Sequence, residues 1–359
     1  MNQLTTSRLL LHATIPISAA AYLLWSQVSY GQMFVSLFII LVMDLIYLSS
    51  VIISNLKPKP STMLFDGKNV LITGGSSGIG FALAKKLLSS GCSNIILLAR
   101  NEDRLKSCVK ELDALKSDSQ RVSYLSMDLC KETEIDNQIK KLIDNIGTID
   151  VLINCAGFSV PGQFQHLEKK TFKEMIDTNY LGSVYLTHAI IPHMIKQKFG
   201  HVVFLSSVGG QLGVTGFTAY SPSKYAVRGF AEVLQSELRP YGIGVSLVFP
   251  PDTKTPGFET ENKKKPNATR LISEQAGLWE CEVVAKIIKS GVENRQFMIG
   301  FGTDGYFVNA LTCGGAPPGS VLEFWSQCLL MPFLRVYILF LQNHFANIIS
   351  NEHKRSQQD

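Results

Sequence analysis

Six short, almost uninterrupted apolar runs recur along residues 69–250, and they constrain the fold more than any other feature of this chain. They read NVLITG, NIILLA, VSYLSMD, DVLINCAG, HVVFLSS and GVSLVFP, and helix-length stretches separate them at residues 81–90, 104–115, 135–146, 171–196 and 221–238. A strand with one wet face alternates polar and apolar residues, whereas a strand apolar throughout is buried on both faces, as in a parallel sheet covered by helices on each side. The expectation is an α/β domain doubly wound around a parallel sheet of the Rossmann type. A chain of 359 residues, 46% of them hydrophobic, can fill such a core and is not disordered as a whole.

The first 65 residues differ in composition from the rest and are expected to form a membrane anchor ahead of a catalytic domain at 66–319 and a membrane-associated tail at 320–359. Residues 33–53 hold one charge, Asp44, and would span about 31 Å as a helix, against a hydrocarbon core of about 30 Å. Asp44 costs roughly 2.5–3.5 kcal/mol, while each Leu, Ile, Phe or Val favours insertion by about 0.3–0.6 kcal/mol near the centre. Fourteen of those residues tip the balance to insertion. A weaker apolar stretch at 9–25, with His12 and Pro16, leaves the span count at one or two. No small-residue cleavage site follows a short apolar core, so the segment reads as an anchor and not a removed signal. Lys57, Lys59 and Lys68 follow the stronger span and place the remainder of the chain in the cytosol by the positive-inside rule. Asn267, in NAT, is then unglycosylated.

The net charge of +5 is spread out apart from KPKP at 57–60 and KKKP at 263–266, which speaks against nucleic acid and for contact with anionic lipid. The seven cysteines are scattered without a C-x-x-C pair, so neither a disulfide framework nor a zinc site is expected.

Three sites carry the chemistry. TGGSSGIG, at 73–80, ends the first strand and opens a helix; its glycines permit a tight turn, and the helix start offers free N–H groups to a pyrophosphate. Arg100 stands twenty residues after Gly80, where an NAD site carries an acid for the ribose hydroxyl; an arginine, assisted by Arg104, suits a 2′-phosphate, hence NADPH. In YSPSK, Tyr220 and Lys224 stand four apart on one helix face. A neighbouring ammonium favours the phenolate and brings the tyrosine toward useful acid strength for chemistry on a carbonyl.

TGGSSGIG, NCAG at 154–157, TNYLG at 178–182, LSS at 205–207 and YSPSK at 220–224 together resemble the short-chain dehydrogenase/reductase family over residues 66–257. The resemblance implies that Tyr220 donates the proton, Lys224 lowers its pKa and holds the nicotinamide ribose, Ser207 orients the carbonyl, and Asn179 anchors a proton-relay water. It assigns the cofactor to Thr73, Gly74, Ser76, Ser77, Gly78, Ile79 and Gly80, to Arg100 and Arg104, to Asp128 at the adenine, and to Asn154, Gly157, Tyr220, Lys224, Pro250 and Thr253. The chain departs from the family pattern at Cys155, where many members have asparagine, and at Pro251, where many have glycine.

The stretches 250–274 and 302–319 resemble a membrane-bound branch of that family that reduces a long-chain keto-amine lipid, 3-ketosphinganine, to sphinganine in sphingolipid synthesis at the endoplasmic reticulum. The expected partners are therefore that lipid substrate and membrane lipid, with room for a homo-oligomer. Residues 329–342, apolar but about 14 long with Pro332 and Arg335, read as too short to span and as an interfacial segment or a core helix. Two alternatives stay open: a membrane reductase of a steroid, retinoid or acyl-dihydroxyacetone phosphate, and a nucleotide-binding scaffold without turnover.

Overall fold

The computed structural model describes residues 30–56 and 64–355. The apolar stretch at 9–25 and the lysines at 57 and 59 lie outside the described residues. Helix α1 (Tyr30–Leu56) contains a 20-residue segment, Val35–Ser54, of mean hydropathy 2.4, with nearly all its side chains exposed. That length and composition suffice to cross a membrane.

The remaining elements alternate as the apolar runs foretell. They are β1 (Asn69–Thr73), α2 (Gly78–Leu88), β2 (Asn94–Ala99), α3 (Glu102–Asp113), β3 (Arg121–Ser126), α4 (Glu132–Ile146) and β4 (Val151–Asn154). After α5 (Lys169–Ile176) and α6 (Gly182–Gln197) come β5 (His201–Leu205), α7 (Tyr220–Leu238) and β6 (Gly244–Val248). Next are α8 (Pro256–Asn262), α9 (Asn267–Gln275), α10 (Cys281–Glu293), the two-residue β7 (Met298–Ile299), α11 (Gly302–Leu311) and α12 (Val321–Arg355). The strands form one parallel sheet in the order β3-β2-β1-β4-β5-β6-β7. The order reverses between β1 and β4, which opens a crevice at the carboxyl ends of the strands, where such sheets bind ligands.

The period of two along each strand divides the core in two. Val70, Ile72, Ile95, Leu97, Val151 and Ile153 face α2, α3 and α10 through Leu83, Leu87, Leu105, Val284 and Ile288. Leu71, Ile96, Leu98, Leu152 and Phe204 face α4, α6 and α7 through Ile135, Ile139, Leu186, Ile190, Val227 and Leu234. Both faces are dry, which is why these strands carry no polar alternation.

Three expectations change. The helix expected at 171–196 is interrupted by a π-helical turn at Asp177–Leu181 between α5 and α6. β7 adds a seventh strand that two residues are too few to announce. The segment at 329–342 is the middle of α12, 35 residues long, and an 18-residue window of it reaches a mean hydropathy of 1.5 with little of it buried. Counting apolar residues alone is bounded by Ser326 and Gln327 before the segment and by the polar 342–344 after it, yet both flanks hold helix formers that extend the element past them. The helix is therefore long enough to cross a membrane.

Candidate active site

The turn after β1 is held from beneath. Thr73 Oγ1 accepts hydrogen bonds from the N–H groups of Cys155 and Ala156, both at 2.9 Å, and so pins the segment after β4 against the end of β1. Gly74 and Gly78 have positive φ, and a Cβ on Gly80 would lie 2.6 Å from the Gly74 carbonyl oxygen, so only glycine lets the turn close. Ser77 precedes α2 without capping it by its side chain, and no acid stands in the first turn. The first N–H groups of α2 thus lack helical acceptors, an arrangement suited to a pyrophosphate. Ser76 is fixed through its carbonyl, which accepts from Cys108 Sγ at 3.4 Å, and Ile79 packs on the core.

Arg100 follows β2, next to β1 in the sheet, and Arg104 opens α3 with its N–H on the Asn101 side chain at 2.9 Å; both side chains are exposed. The nearby acid is occupied elsewhere: Glu102 pairs with Lys106 at 3.0 Å and accepts from Tyr124 at 3.2 Å. Asp128 follows β3 and accepts from the N–H of Cys130 at 3.1 Å. Asn154 is buried at the end of β4, donating to Thr187 Oγ1 at 3.1 Å. These groups and the glycine turn fit a dinucleotide laid across the strand ends.

The other predicted residues converge from four elements. Asn179 sits in the π turn, accepts from the N–H of Phe158 at 3.0 Å, and donates to the Phe158 carbonyl and to Ser223 Oγ, each at 3.0 Å. Ser223 in turn donates to the Tyr220 carbonyl at 2.6 Å, tying the π turn to the start of α7. Sequence reasoning passed over Ser223, although its place three residues after Tyr220 on a helix marks it. Ser207 accepts from the Gly209 N–H at 3.1 Å and lies near enough to the Tyr220 phenol to favour its ionised form. Lys224 is buried and donates to the Leu205 carbonyl at 2.9 Å, with its Nζ 5.8 Å from the Tyr220 ring centroid. Gly157 completes the floor: a Cβ there would lie 3.1 Å from Asn179 Oδ1 and 3.2 Å from Lys224 Nζ.

Desolvation pushes the Tyr220 phenol up, opposed by neighbouring Ser207, and the Glu261 and Asp252 carboxylates raise it further. The Lys224 ammonium is directed at a backbone carbonyl, and burial pushes its own pKa down to about 8. A raised phenol is a held proton, the form a general acid requires.

Residues 250–275 pack beside these groups. The Pro250 carbonyl accepts from the Val208 N–H at 3.3 Å, and Thr253 Oγ1 donates to the Pro251 carbonyl at 2.8 Å, so the PPDTKT segment, Pro251 included, docks beside Ser207. Cys155 is desolvated and its thiol pushed up to about 12, which keeps it inert. The lysine run at 263–265 departs from expectation. Lys263 and Lys264 are exposed, but Lys265 turns inward, its ammonium paired with Asp252 at 3.1 Å and Glu261 at 3.0 Å and hydrogen-bonded to Ser273 at 2.8 Å. Lys265 is therefore an internal cation and not a contact for lipid phosphate. Glu261 and Lys265 at i,i+4 carried the signal, which the run of three lysines masked.

The chain is similar to known proteins. The short chain dehydrogenase family model matches residues 68–266. A Danio rerio protein named 3-dehydrosphinganine reductase is 43% identical over 317 residues, 88% of this chain and 94% of its own length. A Bos taurus protein named 3-ketodihydrosphingosine reductase is 44% identical over 308 residues, 85% of this chain and 91% of its own. Among solved structures, a Streptomyces avermitilis short-chain dehydrogenase superposes with a TM-score of 0.58 at 28% identity, covering 68% of this chain and 90% of that one. A Burkholderia phymatum relative in complex with NAD gives a TM-score of 0.58 at 25% identity, over 66% of this chain and 89% of that one.

Proposed function

The chain belongs to the short-chain dehydrogenase family, and from that membership we propose that it reduces 3-ketosphinganine to sphinganine with NADPH. The observation that carries the proposal is the convergence of Tyr220, Ser207, Lys224 and Asn179 beside the glycine turn, in a chain 43% identical to the Danio rerio 3-dehydrosphinganine reductase over 317 residues. The relatives' names supply the substrate, and the crevice at the strand ends supplies a place for a nicotinamide cofactor.

NADPH, when bound, supplies the hydride that reaches the ketone carbon. Tyr220 gives its phenolic proton to the ketone oxygen as the C–O π bond breaks, so the alcohol forms without a free alkoxide. Ser207, next to that phenol, holds the carbonyl oxygen beside the proton. Lys224 keeps its charge below about pH 8 and stabilises the phenolate left behind. Asn179, locked by three hydrogen bonds, supports the segment through which the proton is returned from solvent. Arg100, with Arg104, receives the 2′-phosphate that distinguishes NADPH from NADH, with Glu102 beside them already paired to Lys106.

The enzyme acts at the endoplasmic reticulum membrane with its catalytic domain toward the cytosol. Two apolar helices long enough to span, and lysines after the first, support this reading. A substrate with a long alkyl tail resides in the bilayer, and anchoring the site there shortens the search.

Incubating the detergent-solubilised protein with NADPH and 3-ketosphinganine tests the proposal, with Tyr220→Phe alongside. The expected result is sphinganine formed with NADPH oxidised, and at least about 100-fold slower turnover in the variant, whose NADPH binding is retained. Turnover of a steroid or retinal in place of this ketone would keep the mechanism and discard the substrate.

A further inference from the structure

The buried ion cluster at residues 252–265 has one positive charge and two negative ones. Lys265 Nζ is fully enclosed, Glu261 is 14% exposed and Asp252 30% exposed, and the single ammonium bridges both carboxylates. The other lysines of the segment do not redress the balance: Lys254 pairs outward with Glu280 at 3.4 Å, and Lys263 and Lys264 face solvent. An unbalanced carboxylate in a desolvated place is costly unless a cation meets it. The surplus lies one aromatic ring away from Tyr220: the Phe217 ring is 5.7 Å from the Tyr220 ring and 5.8 Å from Lys265 Nζ. Ser159, whose hydroxyl is buried without a hydrogen-bond partner among the described residues, lies near the Glu261 carboxyl, one residue after the Phe158 that Asn179 holds.

The cluster is also rigid. Thr269 Oγ1 donates to the Thr215 carbonyl at 3.0 Å, and Asp252 exchanges backbone contact with Trp279, whose N–H reaches the Asp252 carbonyl at 2.9 Å. The segments bearing the acids are thereby fixed to the loop that leads into Tyr220. A preorganised negative site beside a carbonyl-reducing group selects ketones that carry a positive charge close to the carbonyl.

Resting on the proposed reaction, we propose that Glu261, with Asp252 behind it, binds the substrate ammonium on the carbon next to the ketone and so selects keto-amines over neutral ketones. The second cation that the cluster lacks is the substrate's own.

The test uses the full chain in detergent with NADPH and two ketones, 3-ketosphinganine and the same chain with hydrogen in place of the amino group. The ratio of kcat/KM for the amine over the neutral ketone is expected to fall at least about tenfold in Glu261→Gln and to be largely restored in Glu261→Asp, a difference of about 1.4 kcal/mol. An unchanged ratio, with both ketones slowed equally or neither slowed, overturns the site. A second measurement needs no variant: with NADP present, binding of sphinganine to the wild type is compared with binding of its desamino analogue by the change in tryptophan fluorescence. Tighter binding of the amine by about tenfold or more supports the site, and equal binding overturns it. Wild-type protein that turns over neither ketone defeats the proposed reaction, while the binding comparison still decides the ammonium site.

Discussion

On the proposed reaction, the two sides of the crevice would recognise their ligands by opposite means. At 73–80 the wall is backbone: glycines, uncapped N–H groups and a threonine turned inward to brace the neighbouring loop. At 252–273 it is side chain, with a lysine, two acids and a serine enclosed together. A backbone wall is indifferent to everything but shape and a phosphate's charge, and it serves any enzyme that uses the same cofactor. A wall of buried charges depends on each partner, and it serves one substrate chemistry. The common cofactor and the particular substrate are thus read by structures of different cost and different tolerance.

That contrast breaks if the substrate wall proves the more tolerant. Replacing Lys265 by methionine leaves two partly buried acids without their cation and is expected to destabilise the protein by about 3 kcal/mol, lowering Tm by roughly 10 °C. Thermal unfolding followed by tryptophan fluorescence measures it, and a Tm within a degree of wild type would mean the triad is not held as described. On the other wall, Gly80→Ala drives a Cβ into the Gly74 carbonyl, backbone against backbone. The expected cost is about 1–3 kcal/mol, seen as an NADPH Kd raised about tenfold or more with a smaller loss of Tm; unimpaired NADPH binding would show that the turn does not meet the cofactor. The smallest effect is at the rim. Arg100→Ala is expected to reduce the preference for NADPH over NADH about tenfold, read from kcat/KM with each cofactor, and a preference left intact would move the phosphate contact to Arg104 or elsewhere.

Legibility in the sequence follows the same division. β1, β2, β4, β5 and β6 were readable because a strand buried on both faces leaves a run of apolar residues, and the glycine turn because its spacing is a backbone requirement. Tyr220 and Lys224 were readable as a pair on one helix face, but their electrostatics were not, since the Lys224 hydrogen bond to Leu205 is made across the fold. Lys265 was hidden by its neighbours: three consecutive lysines look like a solvated run, and only tertiary packing separates the one that turns inward. α12 was underestimated because apolar counting ends at polar residues where a helix need not.

The π turn at Asp177–Leu181 has a consequence for how this helix came to carry Asn179. Such a turn is how an α-helix absorbs a single inserted residue, which would otherwise shift everything beyond it by about 100° around the axis. One added codon would have swung an asparagine into the crevice while α6 kept Leu186, Ile190 and Met194 on the sheet. Removing one residue from the turn should therefore restore a regular helix and leave the crevice without its amide: a reversal of an insertion, legible as a change of phase.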